Sequence, residues 1–345
     1  MTFVLSAALA APLSTPVLRE EAPPWTPPRV PTVELVETAR EALRAGDAMG
    51  EWGRTTVPAW EPGPADAALR WIVAVGDADR AAGVDRLADP GFLRSCLTAW
   101  RWVPDVPREG ERIRLTRYLV YGVAGETAPT GLFQHALWAL PHDEAGLDAA
   151  SAEARRATLD RFRYTRQDVA AGVYGAGGVA AGHAEPLVWL THEAHEQALL
   201  QGSVAVEVGG KTRLFNVFRN NGIPYDKREH DTTRQRAYWY FREIDAVRGW
   251  AREPVTGPAL RPYAAVAGDV DHLGFGRLLA LHTADGLRLV VLADTGGAFV
   301  DNLHQLDLYT GVFASAKAFS SATAAIGDTA EAWVLGVRET PGCAP

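Results

Sequence analysis

Two carboxylates in the C-terminal part of the chain, Asp294 and Asp307, are thirteen residues apart. Asp294 follows the apolar run Val290-Val291-Leu292-Ala293 and precedes Thr295-Gly296-Gly297, so it ends a buried-type strand and begins a glycine turn. Asp307 is followed directly by Leu308-Tyr309. Such a pair could share the acid/base work of a hydrolase, in which a leaving group receives a proton. One carboxyl must then be protonated when it acts. Burial or a like-charged neighbour supplies the raised pKa that this requires. Asp294 also has a structural reading, because Asp-Thr-Gly-Gly is a good turn sequence with local side-chain bonds.

Three other constellations carry less chemistry. Gly175-Ala176-Gly177-Gly178 imitates a dinucleotide fingerprint but lacks the preceding apolar strand and the helix that would face a pyrophosphate, so a glycine loop is expected. His192 and His195 in His-Glu-Ala-His-Glu are three residues apart, whereas the metalloprotease motif needs four. With no third ligand evident nearby, a solvated helix face is expected and no metal or other cofactor. Gln201-Gly202-Ser203-Val204-Ala205 lacks the second glycine of a nucleophile elbow.

The elements that must position the two aspartates follow from hydropathy and turn residues. Residues 20–31 are proline-rich and read as an extended linker. Thr32 reads as an N-cap of a helix that stops at Gly46, and further helices are expected from Asp66 to Ala78 and from Pro90 to Trp100. From Arg112 the pattern becomes β-branched and aromatic. Strands are expected around Ile113–Val123, Ala136–Leu140, Leu187–Leu190, Val204–Val208, Thr212–Phe218, Tyr238–Phe241, Val266, Leu278–Leu281, Leu289–Leu292 and Ala330–Val337. Asp148 to Phe162 reads as a charged helix, and Gly209-Gly210 as a hairpin turn.

Composition bounds the partners. The 345 residues are 47% hydrophobic, enough for a substantial core, and the net charge of −8 argues against nonspecific binding to nucleic acid or anionic membrane. Eleven tryptophans are many for this length; core packing is the main reading, and platforms for sugar rings the functional one. Cys96 and Cys343 lack zinc or redox-pair spacing, so two unpaired thiols or a dispensable link are expected. Met1–Ala11 resembles the end of a secretory signal without its basic region, which points to export with a truncated or weak signal. No cysteine there supports a lipid anchor, and no apolar run reaches membrane-span length. Oligomeric state is not legible.

Taken in order, several segments resemble the MltA family of membrane-bound lytic murein transglycosylases. They are Thr116-Arg117-Tyr118, His135–Pro141, Tyr164–Asp168, Gln201-Gly202-Ser203, Asn220–Tyr225, Tyr238–Glu243, Ala267-Gly268-Asp269, Ala293–Ala298 and Asp307-Leu308-Tyr309 with Gly311. The resemblance implies a mainly β protein with N-terminal helices, namely a double-psi β-barrel with an inserted second β-rich domain. The implied division is a signal-like and proline-rich lead over 1–31, a helical region over 32–115, the inserted domain over 116–237, the catalytic barrel over 238–338 and a tail over 339–345.

The implied substrate is the glycan strand of peptidoglycan in the cell envelope. The implied reaction cleaves the β-1,4 bond between N-acetylmuramic acid (MurNAc) and N-acetylglucosamine (GlcNAc), with the sugar's own C6 hydroxyl as nucleophile and a 1,6-anhydro end as product. Asp307 stands at the family's catalytic aspartate, with Asp294 in support. Thr116, Tyr118, Gln201, Ser203, Asn221, Tyr225, Thr295 and Gly296 are the expected substrate contacts, and Asp269 reads as structural. The chain departs from the pattern at Arg117, Leu119 and Val204, and Phe299-Val300-Asp301-Asn302 replaces a segment that carries a lysine in the family. A glycan-binding protein without turnover and a glycosidase that admits water therefore stand beside the transglycosylase.

Overall fold

The computed structural model describes residues 17–50, 64–104, 109–226, 228–229, 231–251, 256–296, 299 and 302–345. The signal-like segment Met1–Ala11 lies outside them, as do Gly297, Ala298, Val300 and Asp301. The described lead comprises strand β1 (Val17–Glu20), helices α1 (Thr32–Met49), α2 (Ala65–Ala82) and α3 (Pro90–Cys96), and strand β2 (Leu97–Val103).

Two expectations shift here. Helix α1 runs through Gly46, which is buried, and stops at Gly50, where φ is +63° and only glycine is at ease. Thr32 does not cap it; its hydroxyl donates to Asp85 Oδ2 at 2.9 Å. The third helix ends at Cys96 because a neighbouring strand claims the backbone of Leu97–Val103, with Trp100 paired to Val334. Tertiary pairing overrides the helical spacing of Leu97 and Trp100.

The chain continues through β3 (Ile113–Ala124), β4 (His135–Trp138), α4 (Ala149–Ala154), α5 (Arg166–Ala170), β5 (Pro186–Leu190), α6 (His192–Gln201), β6 (Ser203–Val208), β7 (Lys211–Asn220) and β8 (Trp239–Ile244). Only Ala149–Ala154 and a single turn at Asp160–Phe162 of the expected charged helix are helical. The hairpin at Gly209-Gly210 forms, with both glycines at positive φ. Then follow β9 (Ala265–Ala267), α7 (Val270–Leu273), β10 (Leu278–Thr283), β11 (Gly286–Asp294), β12 (Gln305–Phe313), α8 (Ala316–Thr323) and β13 (Thr329–Val337).

Eleven strands form one sheet in the order β1-β2-β13-β10-β11-β9-β12-β3-β6-β7-β8. β13 also pairs β3, at Thr329↔Arg114 and Ala330↔Ile113, so the run from β13 to β3 returns to its start. Leu279, Leu281, Val290, Leu292, Leu306, Leu308, Ile113, Leu115 and Val334 form the core of this run. A second core joins α1 and α2 to the other face through Leu35, Leu69, Ile72, Leu289 and Val291. A third lies between Ala136 and Phe241. Long β3 links the parts: Arg114–Tyr121 pair with β12 and Tyr121–Ala124 with β6, both parallel.

Cys96 and Cys343 form a disulfide, so of the two expectations, unpaired thiols or a dispensable link, the structure has the link. The tail folds back because the Cys343 carbonyl accepts from the Trp71 indole at 2.7 Å and the Arg338 N–H donates to the Cys96 carbonyl at 2.8 Å.

Candidate active site

The two aspartates meet through the short strand β9. Ala267 is the cross-strand partner of Asp294 on one side and of Asp307 on the other, and Asp307 is in turn the partner of Thr116. Cross-strand partners share a sheet face, so Asp294, Ala267, Asp307 and Thr116 form one row. Leu306 and Leu308, on either side of Asp307, point into the apolar core and fix which way Asp307 faces. Gly268 leaves room for the core beside the row: a Cβ there would lie 2.7 Å from Leu306 Cδ2 and 3.0 Å from Leu292 Cδ1, so those side chains would have to shift.

Asp294 is held by two donors. The Tyr118 hydroxyl donates to its Oδ2 at 2.8 Å, and the Thr295 N–H donates to its Oδ1 at 2.9 Å. Thr295 is anchored in turn, its hydroxyl donating to the Gly268 carbonyl at 2.7 Å. Asp307 differs: its Oδ1 is buried and has no hydrogen-bond partner. Thr116 donates to the Leu306 carbonyl at 3.3 Å and accepts from Gln305 Nε2 at 3.1 Å.

Burial pushes the Asp307 carboxyl up to about 6, against the opposing effects of the Thr116 hydroxyl and the charges of Arg117 and Arg114. Burial likewise pushes Asp294 up to about 7; its two donors oppose this, and the charge of Asp307 adds to it. Asp294 thus keeps a proton to higher pH. Both its oxygens are already engaged, whereas Asp307 keeps one oxygen without a hydrogen-bond partner.

Asp269 frames this row from behind. It caps α7 by accepting from the His272 N–H at 3.0 Å, contacts the His272 ring at 2.8 Å, and accepts from the Asn302 N–H at 3.1 Å. It thereby ties the returning end of the 296–305 loop to β9. The positioning roles of Gln305 and Asn302 carried no sequence signal beyond their nearness to Asp307.

The other expected contacts are placed unequally. Tyr118 joins the aspartates, packs on Tyr309 with ring centroids 5.3 Å apart, and spends its hydroxyl on Asp294. Gly296 is exposed beside them. Gln201 and Ser203 flank Gly202 at the α6–β6 turn, which the β3–β6 register carries toward the Tyr118 stretch. The Ser203 hydroxyl donates to Asn216 on the next strand.

Asn221 is a correction. It is fully buried, its amide donates to the Tyr164 and Arg236 carbonyls, and its oxygen accepts from the Ile223 and Tyr238 N–H groups. All its hydrogen-bonding capacity is spent on backbone, which leaves none for a sugar. Tyr225, four residues on, is 53% exposed.

The helix carrying His192 and His195 also differs from the solvated face expected. His195 is buried, and the fold brings His135 to 4.9 Å from the His192 ring and 5.7 Å from the His195 ring. Even so, no group of three or more His, Cys, Asp or Glu among the described residues is arranged to hold a metal ion. No helix among them is long and apolar enough to cross a membrane.

No protein-family model and no curated protein matches this sequence. Solved structures do match. The chain superposes on Escherichia coli MltA with bound chitohexaose at a TM-score of 0.63 and 15% identity, over 94% of this chain and 95% of that one. A membrane-bound lytic murein transglycosylase from Agrobacterium tumefaciens gives 0.62 at 15% identity, over 93% and 97%. MltA from Neisseria gonorrhoeae gives 0.56 at 15% identity, over 96% and 98%. Sequence identity this low leaves the backbone arrangement as the thing shared: the chain has the MltA fold.

Proposed function

We propose that this protein is a lytic transglycosylase that cleaves the β-1,4 bond between MurNAc and GlcNAc in peptidoglycan. The observation that carries the reading is Asp307, a carboxyl with a raised pKa and a buried, unpartnered Oδ1, on the strand next to β9 and across β9 from Asp294. Its protonated form gives a proton to the leaving GlcNAc O4 as the bond to MurNAc C1 breaks. The MurNAc C6 hydroxyl attacks C1 and returns its proton to the Asp307 carboxylate. The acid is regenerated, no water is consumed, and a 1,6-anhydro ring remains. Asp294, engaged by Tyr118 and Thr295, fixes the barrel loop across β9 from Asp307.

Tyr118, Thr116, Thr295 and Gly296 line this row; Gln201, Ser203 and exposed Tyr225 extend the contact toward neighbouring sugars. The six-strand run from β13 to β3 is read as the double-psi barrel, and residues 116–237 as the domain inserted in it, with β3 shared between the two. The third apolar core, almost all within that segment, supports the division. The disulfide suits an oxidising compartment and so supports export to the cell envelope. Mass spectrometry of the products released from purified murein sacculi tests the reading. Anhydro-MurNAc ends are expected; reducing ends would make the protein a hydrolase, and release of nothing would leave a binding protein.

A further inference from the structure

Arg114 stands beside the proposed acid with its charge uncommitted. It pairs with Gln305 across β3 and β12, two residues before the Thr116↔Asp307 pair, so it emerges on the same face as Asp307. It is exposed, and among the described residues its guanidinium has no hydrogen-bond or ion-pair partner. Its neighbours on the strand are occupied. Arg112 donates to Thr329 and the His282 carbonyl, and Arg117 pairs with Asp328 at 2.6 Å and donates to the Gly327 carbonyl.

The position has a cost. The positive charge of Arg114 works against a protonated Asp307, and no carboxylate among the described residues forms an ion pair with this arginine. An anion brought by the ligand would. It would pair with the guanidinium, cancel its effect on Asp307, and so couple recognition to the readiness of the acid.

We propose that Arg114 is a specificity residue that receives a carboxylate borne by the sugar bound at Asp307, so that the site takes acidic glycan in preference to neutral glycan. The inference rests on the glycan-cleaving reading above. In a muramyl strand the carboxylate comes either from the lactyl group of a stem-free sugar or from the peptide stem attached to it. Neutral chitin has neither.

Calorimetric binding to the Asp307→Asn protein, which holds ligand without turnover, tests this with three probes of matched length: chitohexaose, a stem-free muramyl oligosaccharide and a stem-bearing one. The acidic probes should bind more tightly than chitohexaose. Adding Arg114→Gln should weaken the acidic probes about tenfold and chitohexaose little, and Arg114→Lys should restore part of the difference because it keeps the charge but not the planar fork. Whichever acidic probe responds to Arg114 identifies the carboxylate's source. An unchanged ratio of acidic to neutral affinity in Arg114→Gln overturns the inference. Cleavage by the unaltered chain is scored separately: an Arg114-dependent ratio without cleavage keeps the inference and removes the activity, and absence of binding to all three probes removes both.

Discussion

Asp307 and Asp294 have the same side chain and different hydrogen bonding. Asp294 receives Tyr118 and Thr295, while Asp307 keeps one oxygen unpartnered in a buried setting. A general acid that titrates at about 6 fixes the sign of the pH dependence. The rate at low substrate should be level below that value and fall as pH rises through it, because the proton to be donated is lost. Initial rates of anhydro-end release between about pH 4 and pH 8 check this. Asp294 makes a separate prediction about stability. Its carboxyl keeps a proton in the folded chain up to about 7, against an ordinary 3.8, so the folded state binds more protons between these values. Stability is therefore lost as pH rises through that window. Asp294→Asn, which cannot ionise, should melt at a higher temperature than the parent at about pH 8 and lose the advantage at about pH 4.

Short elements do the positioning. Strand β9 has three residues, yet it brings Asp294 and Asp307 to either side of Ala267. Asp269, two residues after Ala267, caps α7 and holds Asn302. Asp269→Ala should cost about 1–3 kcal/mol, read by denaturant unfolding, and should lower turnover because the loop leading to Asp307 loses its tether. Much of this was legible in the sequence. The run Val290–Ala293 announced a buried strand, Gly209-Gly210 a hairpin, and the order of weak motifs the fold. What the sequence hid was pairing between distant segments. Nothing local shows that Leu97–Val103 is a strand, because β13 makes it one. Nothing local shows that His135 meets His192 and His195, or that Asn221 is wholly occupied by backbone from Tyr164 and Arg236. Arg114 and Gln305 became visible only through the β3–β12 register.

Across the whole molecule, the site joins β3 to β9, β11 and β12 from much later in the chain, and a disulfide separately ties the helical lead to the tail. Cys96 and Cys343 are 247 residues apart in sequence and join the end of α3 to the C-terminal tail. Cys96→Ser should lower the unfolding free energy by about 2–5 kcal/mol, and reductant should lower the melting temperature of the parent but not of the variant. The match to MltA structures over 94% of the chain at 15% identity fits a fold held by burial pattern and turns, with side chains free to diverge around it. Phe299-Val300-Asp301-Asn302, which departs from the family pattern, lies shortly before Asp307 in sequence. Digestion of murein sacculi by the parent and by Asp307→Asn under identical conditions is the most direct test of the account. The parent should release anhydro-MurNAc ends, and the variant should be slower by about a hundredfold to ten-thousandfold, the usual contribution of a general acid. Equal release by the two proteins would contradict the account.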